Sequence, residues 1–179
     1  EKKVLVDAGD ERTAGGVVNV VTGLPAEIGA ELTGNTAVRK ISFTGSTRVG
    51  ALLMRQSADS IKRLSLELGG NAPFIVFDDA DIDMAVDGVM TSKFRNGGQT
   101  CVCANRIMVH TAVYDEFAAR LSRAVSALRT APGMEPGSTI GPMINVPTVE
   151  KIRAHVDDAL AKGATVLARG SGRQDGNFV

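Results

Sequence analysis

Apolar residues along the chain alternate between short β-branched runs and stretches with helical spacing. VVNVVTG (17–23) is a β-branched run closed by Gly23, the pattern of a fully buried strand. PAEIGAELTGN (25–35) follows as a short helix with a Gly/Asn stop, and VRKISFTG (38–45) as a second strand. In STRVGALLMRQSAD (46–59), Ser46 or Thr47 can cap free N–H groups, and Val49, Leu52 and Leu53 recur at helical spacing. IKRLSLELGG (61–70) is a third strand ending in two glycines. Strand–helix–strand–helix–strand in this order predicts an α/β fold with a parallel sheet.

Beyond the glycines, APFIVFDD (72–79) predicts another strand, and ADIDMAVDGVMTSKFRN (80–96) a helix with acidic residues in its first turn. NRIMVH (105–110) is strand-like, and TAVYDEFAARLSRAVSALRT (111–130) has the spacing of a long amphipathic helix. A Pro/Gly loop (131–145), a helix (148–164) and a strand, TVLARG (165–170), complete the order. Gly69–Gly70 is the best candidate for a domain boundary. EKKVLVDAGD at the start is written like the tail of a helix and GNFV at the end like a strand beginning, as expected of a piece of a longer polypeptide.

Composition narrows the classes little. Of 179 residues 44% are hydrophobic, enough for a core, and 20 basic residues balance 20 acidic ones. Without a basic stripe, neither nucleic acid nor an anionic membrane is an expected partner. No secretory h-region and no apolar run long enough to span a bilayer is visible. Two cysteines are too few for a disulfide framework, which makes a reducing cytoplasm the expected compartment.

Both cysteines lie in FRNGGQTCVCANRI (94–107). Cys101 and Cys103 could be buried small hydrophobes, a redox pair, or a nucleophile with its neighbour. A zinc site lacks a second cysteine pair, since only His110 and His155 remain to help. Neither histidine has a visible orienting partner for a Cys/His pair, so both are expected to be structural or solvated. Glycines before Cys101 would let the backbone turn sharply, and N–H groups there could favour a thiolate and a developing oxyanion. Elsewhere, Ser46 at a strand-to-helix junction is either an ordinary cap or part of an anion site. Glu67 beside two glycines is either a solvated charge or a general base.

In order, FTGST, ELGG and GQTC resemble the aldehyde dehydrogenase superfamily, with 21 positions from Ser46 to Glu67 and 34 from Glu67 to Cys101. The resemblance runs from VVNVVTG to the IGPMI loop and the KGATV segment. LELGGNAPFIVFDDADID and SKFRNGGQTCVCANRI are similar to the succinate-semialdehyde dehydrogenase branch, glutarate-semialdehyde relatives included. DAGDERTAGG, before the first strand, departs from the family's usual Gly-x-Pro turn.

The resemblance implies a fold: residues 1–69 as the C-terminal part of a Rossmann-type NAD(P)-binding domain, and 70–179 as the N-terminal part of an α/β catalytic domain. It implies NAD or NADP as cofactor, an aldehyde as small-molecule substrate and a homo-oligomer at full length. Cys101 would attack the aldehyde, with its own N–H donating to the oxyanion, and Glu67 would activate the water that hydrolyses the thioester. Ser46, Gly45, Val49 and Leu68 would line the cofactor site, with Gly29 starting the preceding phosphate-side turn. Arg95, six positions before the nucleophile, would hold a distal substrate carboxylate; its other role would be to cap its helix. Cys103 would be either a packing residue or the partner of Cys101 in a redox switch. The family's upstream asparagine for the oxyanion hole would precede Glu1, so no turnover is expected of the 179 residues alone.

Overall fold

A computed structural model describes residues 16–179 of the chain. The expected helix tail at 1–10 and most of the divergent DAGDERTAGG run lie outside the described residues. Contacts divide the chain into two compact units between Gly69 and Gly70.

In the first unit, α1 (Pro25–Gly34) starts on a proline whose fixed φ suits the first helical turn and whose missing N–H costs nothing there. β1 (Lys40–Thr44) and β2 (Arg63–Glu67) pair in parallel, from Lys40 opposite Arg63 to Thr44 opposite Glu67. The crossover between them is α2 (Thr47–Ser57), capped by the Ser46 hydroxyl, which accepts from the Val49 N–H at 3.3 Å. Ile41 and Leu53 are buried. So is Lys62, whose Nζ donates to the carbonyls of Asn35 (2.7 Å) and Val38 (2.9 Å) and ties the α1–β1 connection to the start of β2.

The strand expected at 17–23 does not form: only Val21 makes a bridge, and Val17, Val18, Val20 and Val21 are all exposed. A continuous apolar run becomes a buried strand only when neighbouring strands supply hydrogen bonds on its edges. Among the described residues no strand lies beside this run.

In the second unit, β3 (Ala72–Val76) pairs in parallel with β4 (Ala104–Val109). The register shifts between Ala72 and Pro73, where proline has no N–H to donate. α3 (Ile82–Phe94) is the crossover helix, started by the Asp81 carboxylate accepting from the Met84 N–H at 3.1 Å. α4 (Tyr114–Ser126) packs against α3. Val76, Val86, Val89 and Phe117 form the core between sheet and helices, flanked by Phe74, Ile107 and Leu121. At the helix surface, the Arg120 guanidinium bridges Asp83 of α3 and Glu116 of α4. α5 (Val146–Ala161) starts on Asn145, whose side chain accepts from the Thr148 N–H at 3.0 Å.

The long helix expected at 111–130 is shorter: 111–113 form a 3₁₀ turn, and Arg129–Thr130 leave the helix as β5. β5 pairs in parallel with β6 (Ser171–Gly172). The strand expected at 165–170 is therefore displaced to residues that follow it. Pairing begins where glycine lets two backbones approach: a Cβ on Gly172, at φ +105°, would lie 2.2 Å from the Thr130 carbonyl oxygen. GNFV is likewise not a strand; Gly176 turns at φ +58°, and the Phe178 N–H returns to the Asp175 carbonyl at 3.0 Å.

Candidate active site

After Phe94 the chain leaves α3 through a turn whose shape depends on its sequence. Arg95 takes extended dihedrals, and Asn96, Gly97 and Gly98 then lie at φ +51°, +63° and +77°. Three successive left-handed residues exclude ordinary side chains, with asparagine the best tolerated after glycine. Space imposes the same choice: a Cβ on Gly97 would sit 2.8 Å from Met143 Cε, and one on Gly98 3.1 Å from the Lys93 carbonyl oxygen.

The turn separates its two thiols. Cys101 is exposed, whereas Cys103 is buried, and both are free. Cys103 Sγ donates to the Lys93 carbonyl at 3.2 Å, meeting one of the last carbonyls of α3. The Cys101 N–H has no acceptor among the described residues. Beside it, the Thr100 hydroxyl is buried without a hydrogen-bond partner. Gly70 passes so close that a Cβ there would lie 2.8 Å from the Cys101 carbonyl oxygen. The neighbouring Asn71 carbonyl accepts from Arg106 Nη2 at 2.9 Å. Gln99 clasps the turn: its amide donates to the Asn96 carbonyl at 3.0 Å and accepts from the Ile144 N–H at 2.9 Å. Arg95 is exposed, and its guanidinium forms no hydrogen bond or ion pair among the described residues. The side chain thus does not cap α3.

In the first unit, Gly45, Ser46 and Val49 gather at the N-terminal end of α2. Gly45 continues the ladder by donating to the Glu67 carbonyl at 2.9 Å. A Cβ on Gly45 would strike the Phe43 ring at 2.4 Å, and one on Gly50 would strike Leu68 at 2.7 Å, so Leu68 rests on α2. The first turn of α2 has no acidic residue. Glu67 is exposed at the end of β2.

The sequence model of the aldehyde dehydrogenase family matches residues 7–179. The chain belongs to the aldehyde dehydrogenase family. It is 58% identical over 163 residues to a glutarate-semialdehyde dehydrogenase of Pseudomonas putida, covering 91% of this chain and 34% of that protein. The NADP(+) succinate-semialdehyde dehydrogenase of Escherichia coli is also 58% identical, over 164 residues, with the same coverage of 91% and 34%. A 3-sulfolactaldehyde dehydrogenase of Pseudomonas putida is 59% identical over 155 residues, covering 87% of this chain and 32% of that protein. A crystal structure of an E. coli NADP-dependent enzyme matches at a TM-score of 0.85 and 57% identity, over 89% of this chain and 34% of that one. The α/β fold is thus the aldehyde dehydrogenase fold, and the chain spans about a third of the length of these relatives.

Against the family pattern, one expected residue is misplaced. Gly29 opens no turn; it lies inside α1, where a Cβ would sit 4.0 Å from Leu53 Cδ2 of α2, an ordinary helix–helix contact. Of the two histidines, His110 Nδ1 accepts from the Ala112 N–H at 3.3 Å, and His155 is exposed on α5. No cluster of three or more potential ligands for a metal exists among the described residues. None of their helices is long and apolar enough to cross a membrane. The parts played by Gln99, Gly70 and Arg106 escape a reading by motif. Gln99 and Gly70 had a signal, their places inside GQTC and ELGG, but Gln99's partner Ile144 is 45 positions away.

Proposed function

We propose that the full-length polypeptide carrying this chain oxidises an aldehyde with an acid group at its far end, succinate semialdehyde foremost, to the carboxylic acid with NAD or NADP. The observation that carries this reading is the exposed Cys101 thiol on a glycine-built turn, with its own N–H unpaired among the described residues. Cys101 Sγ attacks the aldehyde carbon, and the Cys101 N–H donates to the oxyanion that forms. The chemistry that a nicotinamide ring supplies when bound is acceptance of one hydride. Cys101 then holds the acyl group as a thioester. Glu67 takes a proton from the water that hydrolyses it, releasing the acid and the free thiol.

The N-terminal end of α2 suits an anionic cofactor. Ser46 Oγ engages only the Val49 N–H, the N–H groups of Thr47 and Arg48 precede the helix's own ladder, and no acidic side chain opposes an anion. Gly45, Ser46 and Val49 would hold the cofactor there, with Leu68 supporting α2 from below. The unit ending at Gly69 is accordingly the C-terminal part of the NAD(P)-binding domain, and the unit beginning at Gly70 is the N-terminal part of the catalytic domain. The polypeptide works in the cytoplasm as a homo-oligomer.

Arg95 carries the choice of substrate. Its guanidinium is exposed and unpartnered among the described residues, and a planar fork of donors can hold a carboxylate bidentately. The three relatives are named for succinate semialdehyde, glutarate semialdehyde and 3-sulfolactaldehyde, each an aldehyde bearing an acid group. A second reading, favoured by the same relatives, exchanges succinate semialdehyde for glutarate semialdehyde as the preferred substrate. The test is NAD(P)H formation by the purified full-length polypeptide with succinate semialdehyde, glutarate semialdehyde and propanal. Preference for a semialdehyde over propanal supports the class, and the order of the two semialdehydes decides between the readings. A preference for propanal contradicts both.

A further inference from the structure

We propose that Gln99 is a positioning residue for the Cys101 nucleophile, acting through the acceptor arm of its amide on the Ile144 N–H; this rests on the reading of Cys101 given above. Apart from the bonds between Asn96 and Gln99, the turn from Arg95 to Cys101 has little to hold its shape from within. Its glycines are permissive, and left-handed residues in succession lack the ladder of a helix or strand. Gln99 supplies closure on both sides. Its N–H and its amide nitrogen both donate to the Asn96 carbonyl, at 3.2 and 3.0 Å, and the Asn96 amide returns to the Gln99 carbonyl at 3.3 Å.

Those bonds shape the turn but do not place it. Placement comes from Gln99 Oε1, which accepts from the Ile144 N–H at 2.9 Å. Among the described residues this is the only hydrogen bond between residues 95–103 and the chain beyond residue 130. The segment it reaches is itself anchored. Met143 is buried, its N–H donates to the Asn177 carbonyl at 2.8 Å, and the next residue but one, Asn145, caps α5. Met143 also presses on Gly97, where a Cβ would lie 2.8 Å from its Cε. An amide is suited to this post because it donates and accepts at once. Only its acceptor oxygen reaches outside the turn.

The test compares three variants of the full-length enzyme by kcat, by KM for the aldehyde, and by the rate at which iodoacetamide alkylates Cys101. Gln99→Met keeps length but loses both arms. It should lower kcat by about 10- to 100-fold, because a displacement near 1 Å at a reacting atom costs about that much. Iodoacetamide, which needs no oriented attack, should alkylate the exposed thiol at a rate within a few-fold of wild type, whereas general unfolding would move both readouts together. Gln99→Glu keeps an acceptor for the Ile144 N–H and should recover most of the lost kcat. Gln99→Asn keeps the amide but shortens its reach and should lose as much as Gln99→Met, which guards against a variant that merely fails to fold. A Gln99→Met kcat within about twofold of wild type, or equal losses in Gln99→Met and Gln99→Glu, overturns the proposal. Turnover that survives Cys101→Ser would instead overturn the nucleophile reading on which it rests.

Discussion

The N-terminal end of α2 and the turn around Cys101 are both strand-or-helix junctions rich in glycine, yet they are built in opposite ways. At α2 the cap itself is local, with Ser46 accepting from Val49 three residues on, and the longer contact, from Gly45 to the Glu67 carbonyl, only continues a ladder already set by β1 and β2. At Cys101 the contacts that matter reach far along the chain, from Gly70 to the Cys101 carbonyl and from Gln99 to Ile144. A site for binding an anion can be assembled from a helix end, because the donors are there in any helix. A site for covalent attack must fix one atom, and that takes anchors from elements distant in sequence.

This contrast ranks the effects of substitution. Cys101→Ser should abolish turnover, by ~10⁴-fold or more, since the hydroxyl is a far poorer nucleophile at neutral pH. An unaffected rate in the steady-state assay would remove Cys101 from the chemistry. Gly70→Ala comes next. Its methyl would meet backbone rather than a yielding side chain, so the Cys101 turn must shift, with a kcat loss of about 100-fold expected. Arg95→Ala should cut kcat/KM for ω-acid aldehydes by about 10- to 100-fold, the worth of a charge-assisted pair, and leave propanal nearly unchanged. An even loss across both aldehydes would return Arg95 to a structural role.

The first unit should respond more mildly. Ser46→Ala removes a cap worth about 0.5–2 kcal/mol and should raise the KM for cofactor a few-fold while kcat holds. Smallest of all is the exposed pair of Arg173 and Asp175. The hydrogen bond from Arg173 holds the Asp175 carboxyl below its ordinary range. A depressed folded-state value stabilises the fold above the ordinary carboxyl range and loses that contribution as pH falls through the folded value. Asp175→Asn should therefore lower stability slightly near neutrality, where that contribution is fully present, and flatten the acid limb of a denaturation profile, which meets that of the wild type below the folded value.

What the sequence made legible follows the same division. The α2 start could be read from Ser46 and the apolar spacing behind it, since capping is decided within one turn. The motif order singled out Cys101, Glu67 and Arg95 as candidates, and all three are exposed in the structure. It did not reveal that Cys103 donates to Lys93 and ends α3, because that bond needs the turn to fold back on its helix. The runs at 17–23 and 165–170 misled for a related reason. Apolar, β-branched residues state a willingness to pair, but a strand exists only where a neighbour offers its edge, and Ser171–Gly172 found one where Val166 and Leu167 did not. Gly29 looked like a turn glycine and is a helix-packing one, a distinction that depends on Leu53 of the adjacent helix.

The most direct test of the central claim is to trap the acyl-enzyme. A Glu67→Gln variant of the full-length polypeptide, which lacks the proposed base for hydrolysis, is mixed with succinate semialdehyde and cofactor, quenched in acid and digested for mass spectrometry. The account predicts a succinyl increment on the peptide containing Cys101 and Cys103, with fragmentation placing it on Cys101. An increment on Cys103, or none while reduced cofactor still accumulates, would contradict it.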